Sequence, residues 1–295
     1  METYSNISNT KMNSPGTGIS SAASPCRRLE GKVAVITGGA SGIGATTARL
    51  FHENGAKVVI ADIQDTLGQA IADELGENVS YIHCDVSKED DIINLIDTTI
   101  SEHGILDIMY NNAGVLDGPL GSILETTKSD IDRVVGVNLV GALMGAKHAA
   151  RVMIPRRKGC ILFTASVATA IAGTASYAYT ASKVGVVGLA KNLAAELGQY
   201  NIRVNCVSPF IVATPMSAPK EGDVPKVEAI AREMGNLKGE VLKAEGVAGA
   251  VVYLASDDAS YVSGVNFVMD GGFSVVNPTL MRAFKLLPQI TNVDF

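Results

Sequence analysis

No tryptophan occurs in the 295 residues of this chain, and aromatic side chains make up only 5% of it. No apolar stretch reaches the roughly eighteen residues that a membrane span requires, so a spanning helix is not expected. Lysine and arginine number 24 against 30 acids, a formal charge of −6, which speaks against a nucleic-acid surface. Cysteine is sparse. Cys26, Cys84, Cys160 and Cys206 are scattered, with no C-x-x-C pair, and three of them sit inside apolar runs. They read as reduced, buried thiols acting as small hydrophobes. His52, His83, His103 and His148 show no ligand spacing, so no metal site is expected.

What the chain has is hydrophobic residues, at 47%, and 30 glycines that fall at turns rather than in repeats. This describes a soluble α/β protein of one large domain or two small ones. From Leu29 onward, short β-branched runs alternate with longer helical patterns. Candidate strands are Val33–Thr37, Lys57–Asp62, Val79–Cys84, Leu106–Asn111, Cys160–Ala165, Ile202–Val207 and Val265–Met269. Helical stretches are expected over 43–53, 65–75, 88–103, 128–154, 177–198 and 245–255. Near-continuous apolar strands separated by helices predict a seven-stranded parallel sheet covered on both faces, a single doubly wound (Rossmann) domain over 29–275. The crossovers should be right-handed. Residues 210–244, long, charged and proline-containing, read as a lid with some helix.

Residues 1–28 are rich in Ser, Thr, Asn, Gly and Pro and lack a hydrophobic period, which reads as a disordered tail. The tail has no apolar core for a secretory signal and too little arginine for a mitochondrial presequence. A cytoplasmic protein is the expectation, with a plastid transit peptide as the alternative. The apolar end of the chain and the tail 276–295 suggest a subunit contact.

Strand 33–37 runs directly into Gly38, Gly39, Gly42 and Gly44, spaced G-x-x-x-G-x-G from Gly38, with a helix behind. Such a turn lets a pyrophosphate approach the backbone, and the helix N-terminus offers it unpaired N–H groups. Asp62 closes the second strand, where an acid accepts from a ribose hydroxyl and repels a 2′-phosphate. No Lys or Arg lies between Thr37 and Ala48, and Ile63 follows the acid, so NAD is expected rather than NADP. Further along, Tyr179 and Lys183 form an i,i+4 pair on a predicted helix, with Ser166 thirteen residues upstream of the tyrosine. An ammonium beside the phenol favours phenolate, which a tyrosine base requires near neutral pH. Tyr177, six positions from Lys183, lies on another face and reads as a pocket wall.

Thr37–Gly44, Asn111-Asn-Ala-Gly114, Asn138, Ser166 and Tyr179-x-x-x-Lys183 together resemble the short-chain dehydrogenase/reductases in order and spacing, across residues 29–275. The resemblance tightens toward a plant secondary-metabolism group, through Lys147–Pro155, Gly188–Gly198, Asn236–Gly239 and Asp270–Val275. It implies an NAD-dependent oxidation of a secondary alcohol to a ketone, or of a hemiacetal to a lactone, on a terpenoid-type skeleton. It also implies a homotetramer. Tyr179 would be the base, Lys183 would lower its pKa and bind the nicotinamide ribose, and Ser166 would hold the substrate oxygen. Asn138 would hold a relay water. Gly38, Ser41, Gly42, Ile43 and Gly44 would cradle the pyrophosphate, with Asp62, Ile63, Asp85 and Val86 at the adenosine. Asn112, Ala113, Gly114 and Pro209 would line the cofactor, and Thr214 would contact the nicotinamide carboxamide.

One departure from many relatives is Pro209-Phe210, where they carry Pro-Gly. Phe210, Ile211 and Met216, with apolar residues around 115–120 and 167–172, are expected to form a greasy pocket suited to a bulky alcohol. Two alternatives remain: an NADPH-type ketone reductase, and a non-redox protein that keeps NAD only as structure while guiding terpenoid cyclisation.

Overall fold

Val33–Thr37 carries no charge and is buried at every position, so β1 forms inside a sheet rather than at its edge. The computed structural model describes residues 27–118, 121–220 and 222–276. The remaining strands are β2 (Lys57–Asp62), β3 (Val79–His83), β4 (Ile108–Asn111), β5 (Gly159–Thr164), β6 (Ile202–Pro209) and β7 (Asn266–Met269). All pair in parallel, in the order β3-β2-β1-β4-β5-β6-β7, which is the predicted doubly wound seven-stranded sheet. The order reverses between β1 and β4. Chains leaving these two neighbours turn to opposite sides, and a crevice opens beyond their carboxyl ends.

The helices are α1 (Gly42–Glu53), α2 (Asp65–Leu75), α3 (Glu89–His103), α4 (Lys128–Val135), α5 (Ala142–Met153), α6 (Tyr177–Leu197), α7 (Asp223–Met234) and α8 (Ala244–Ala255). In α3, Glu89, Asp90 and Asp91 lead the first turn and His103 ends the last, complementing the helix dipole, and Gly104 closes it in the left-handed region. Strand alternation divides the core. Val35, Val59, Met109, Ile161, Phe163 and Val204 pack on one side with residues of α3, α5 and α6. Ala34, Ile36, Val58, Ile60, Ile108 and Leu162 pack on the other with α1, α2 and α8. Both faces are therefore dry, as the strand composition predicts.

The helix expected over 128–154 is interrupted. Gly136–Gly141 is a π-helical segment between α4 and α5, and it carries Asn138. A Cβ on Gly141 would lie 2.8 Å from the Val86 carbonyl oxygen, so this turn presses against the loop after β3. A π-turn shifts the side chains that follow it by a fraction of a turn, which hydrophobic periodicity does not register. The segment 210–244 contains α7. The tail readings for 1–26 and 277–295 lie outside the described residues, as do Pro119 and Leu120 of the expected pocket wall.

Candidate active site

β1 ends at Thr37, and Gly38 turns the chain with φ of 64° before α1 begins at Gly42. A Cβ on Gly44 would stand 2.1 Å from the Gly38 carbonyl oxygen and 2.7 Å from Asn112 Nδ2, so no side chain fits there. Asn112 Nδ2 donates to the carbonyls of Thr37 and Gly38, at 3.1 and 3.2 Å, and braces the turn from β4. Thr37 Oγ1 accepts from the amides of Asn112 and Ala113, at 3.0 and 3.1 Å. Ser41, at the N-cap position of α1, makes no side-chain cap bond, and the first turn holds no acid. Those N–H groups are left for an anion.

Asp62 stands at the end of β2, 6% exposed, and borders the same cleft. Its Oδ2 accepts from Ala40 N at 3.0 Å, and its Oδ1 accepts from Gln64 N and Nε2 at 3.1 and 3.2 Å. The carboxylate is thus fixed in place by the glycine turn itself. Asp85, Val86 and Cys84 continue the wall from β3. Asp85 Oδ1 accepts from Ser87 Oγ and Ser87 N, at 2.7 and 3.0 Å, and this hydrogen bonding holds its carboxyl below the ordinary range. Burial pushes the Cys84 thiol up to about 12, so it stays protonated. Lys183 is the sole basic residue among the described lining.

Tyr179 and Lys183 lie on α6, with the Lys183 Nζ 5.6 Å from the Tyr179 ring centroid. Lys183 is 3% exposed and donates to the Thr164 carbonyl at 2.8 Å. Burial pulls its pKa down to about 8. Tyr179 departs from the expectation of a depressed pKa. Burial raises it above the ordinary phenol value, and a hydrogen bond with Ser166 opposes that rise. Desolvating a phenolate costs more here than the lysine, directed at Thr164, returns. Ser166 also caps a short 3-10 turn, its Oγ accepting from Ala168 N at 3.2 Å.

Asn138 is 1% exposed and stands behind the cleft lining. Its Oδ1 accepts from Val115 N at 2.8 Å, and its Nδ2 donates to the Val115 carbonyl at 3.0 Å and to Ser182 Oγ at 3.1 Å. Ser182 Oγ in turn donates to the Tyr179 carbonyl at 2.7 Å. The asparagine therefore joins the loop after β4 to the helix bearing the tyrosine. It makes no direct hydrogen bond to Lys183.

The cleft encloses about 580 Å³ and runs from Asp62 to Ile230 and Met234 of α7. Gly38, Ser41, Gly42, Ile43, Ile63, Asn112, Ala113, Gly114, Pro209 and Thr214 line it together with Ser166, Phe210, Ile211 and Met216. Gly44 lies just behind. The Thr214 side chain stands against Gly42, where a Cβ would come within 3.2 Å of it. Tyr177 corrects the sequence reading: it is 51% exposed and lies off the cleft. Sequence reasoning missed Gln64, Val137, Thr174, Ile230 and Met234, all of which line it. Ile230 and Met234 are an i,i+4 pair on α7, a spacing legible once that helix is recognised. The donors fit a nicotinamide dinucleotide, with glycines where a Cβ would fill the cradle, free helix N–H groups for the pyrophosphate, and an acid at the adenosine end.

A family profile described as Enoyl-(Acyl carrier protein) reductase matches residues 38–274. The chain is 65% identical to (21S)-21-acetoxyl-apo-melianone synthase SDR of Melia azedarach, across 90% of this chain and 98% of that protein. It is 62% identical to Tropinone reductase-like 1 of Erythroxylum coca, with 90% and 98% covered. It is 57% identical to (+)-borneol dehydrogenase 1 of Salvia officinalis, over 88% of this chain and 100% of that one. Among solved structures, a short-chain type dehydrogenase/reductase from Mycobacterium marinum superposes with a TM-score of 0.77 at 33% identity. That likeness covers 84% of this chain and 97% of the other.

Proposed function

The chain belongs to the short-chain dehydrogenase/reductase family, and from that premise we propose that it oxidises a secondary alcohol, or a hemiacetal, on a bulky apolar terpenoid-type skeleton with NAD. One observation carries the reading: Ser166, Tyr179 and Lys183 line one cleft together with Asp62 and the apolar Phe210, Ile211 and Met216. A bound oxidised nicotinamide supplies the hydride acceptor. Ser166 Oγ holds the substrate oxygen, and Tyr179 Oη takes the hydroxyl proton as the C–H bond breaks. Lys183, with its ammonium beside the ring, favours the phenolate once that proton must be accepted. Asn138 keeps α6 in register with the loop at Val115 and serves the proton relay.

Asp62 supports NAD, since a fixed carboxylate disfavours a 2′-phosphate and no described lining residue at that end neutralises one. Phe210, Ile211, Met216, Ile230 and Met234 support an apolar substrate, as does similarity to a protein named for borneol, a bicyclic alcohol. The name Tropinone reductase-like favours a second reading, ketone reduction, which hydride reversibility permits and Asp62 disfavours with NADPH. We assign residues 29–275 to one catalytic domain of a cytoplasmic homotetramer. Exposed Val140, Leu143 and Val184 on neighbouring helices support subunit contact. Among the described residues, no helix is long and apolar enough to cross a membrane.

The test is reduced-nicotinamide absorbance with NAD and with NADP, across borneol, nepetalactol, lignan, apocarotenoid and diterpenoid alcohols. Turnover of one class with NAD, and slower turnover with NADP, is expected. NADH binding with no turnover of any alcohol, or NADP used as well as NAD, refutes the reading.

A further inference from the structure

Phe210 follows β6 directly, and its ring forms part of the cleft wall. Its amide donates to the Met269 carbonyl at 2.9 Å, which fixes the backbone at the end of β6 and leaves the ring to its neighbours. That neighbour is Phe273, whose centroid lies 4.9 Å away with the planes tilted by 43°, a favourable geometry for an aromatic pair. Phe273 itself does not line the cleft. It opens a 3-10 turn in which Asp270 Oδ1 accepts from Gly272 N at 2.9 Å and Oδ2 accepts from Ser274 N at 2.8 Å. The other side of the turn abuts the segment leaving α7. A Cβ on Gly271 would stand 2.9 Å from Leu237 Cβ, and one on Gly272 would stand 3.1 Å from Asn236 Nδ2. One rigid turn thus supports the Phe210 wall and the exit of the helix that contributes Ile230 and Met234.

We propose that Phe273 is a specificity-determining positioning residue, which acts through Phe210 to set the width of the substrate compartment. The proposal rests on the alcohol-oxidation reading above. Removing the ring frees Phe210 to swing into the vacated space and widens the compartment, without touching Tyr179, Ser166 or the dinucleotide end.

The experiment compares the unmodified protein with F273A, and with F273L in case the alanine variant folds poorly. Cyclohexanol serves as the compact alcohol and borneol as the polycyclic one, both at saturating NAD. The expected result is a shift of about tenfold in the kcat/KM ratio toward borneol, carried by KM, with kcat and NADH affinity within about twofold. F273Y should restore the original ratio. Equal changes for both alcohols, or none, overturn the proposal. A second readout is independent of turnover. Because the chain has no tryptophan, F210W introduces a single indole, which red-edge excitation reads apart from the eight tyrosines. Adding F273A should raise its acrylamide quenching constant about threefold, and an unchanged constant overturns the proposal. If the unmodified protein binds NADH and oxidises neither these two alcohols nor any class of the panel above, alcohol oxidation fails as a function, and the quenching result still decides the role of Phe273.

Discussion

Replacing Lys183 by methionine should stabilise this protein near neutral pH while disabling it. Lys183 is 3% exposed, and burial draws its pKa from 10.5 to about 8. At pH 7 the native state therefore holds an ammonium that it would rather discharge. At 1.36 kcal/mol per unit, that penalty is about 3 kcal/mol. Against it stands the 2.8 Å hydrogen bond to the Thr164 carbonyl, with a net value of about 1 kcal/mol. K183M should thus gain about 2 kcal/mol at pH 7. The sign reverses with alkali. Between about pH 8 and 10.5 the unfolded chain binds the proton that the native site has released, so the unmodified protein gains stability as pH rises. By pH 10.5 the advantage of K183M should be gone. Urea unfolding followed by far-ultraviolet circular dichroism at pH 7 and pH 10.5 measures both ends. The difference between the two proteins cancels groups that titrate alike in each. Turnover should fall by about 10²–10⁴, the usual contribution of a positioned proton-transfer apparatus. A stability gap that does not change with pH, or a K183M protein less stable at pH 7, refutes the reasoning.

Y179F should abolish alcohol oxidation and leave NADH affinity within about twofold, by nucleotide fluorescence; residual turnover above about 1% refutes its role as base. G44A places a Cβ 2.1 Å from the Gly38 carbonyl, so the turn must move. It should lose about 1–3 kcal/mol in urea unfolding and bind NADH at least tenfold more weakly. N138A leaves both Val115 backbone groups without their 2.8 and 3.0 Å partners. It should cost about 1–3 kcal/mol and lower kcat more than NADH affinity, whereas an unchanged melting curve would show that the loop is held otherwise. D62A should weaken NAD and narrow its preference over NADP by about tenfold, read as the ratio of kcat/KM values.

The dinucleotide half of the cleft was legible in the linear chain because its chemistry is backbone chemistry. Gly38, Gly42 and Gly44 occur where a Cβ has no room, and an acid at a strand end is local information. The strands were equally plain, since a sheet covered on both faces writes itself as uninterrupted apolar runs. Local sequence also carried the i,i+4 pairing of Tyr179 with Lys183, which needs only a helix.

Tertiary structure decided everything that depends on burial or on meetings across the chain. The raised Tyr179 pKa and the lowered Lys183 pKa come from burial of that face of α6, which packs against β6, and spacing cannot report it. Asn138 reaches Val115 and Ser182 only because a π-turn re-aims it, and a π-turn leaves no periodic signature. Tyr177 and Tyr179 are two residues apart, yet the fold turns one to solvent and the other into the cleft. The Phe210–Phe273 contact joins residues brought together by the pairing of β6 with β7. The sequence by itself determined the sheet, the glycine turn after β1 and the pairing of Tyr179 with Lys183 on one helix, because these follow from local sterics and composition. Only the packed structure decided the charge state of the pair and the shape of the substrate compartment, because desolvation and cavity walls are properties of surroundings assembled from distant segments.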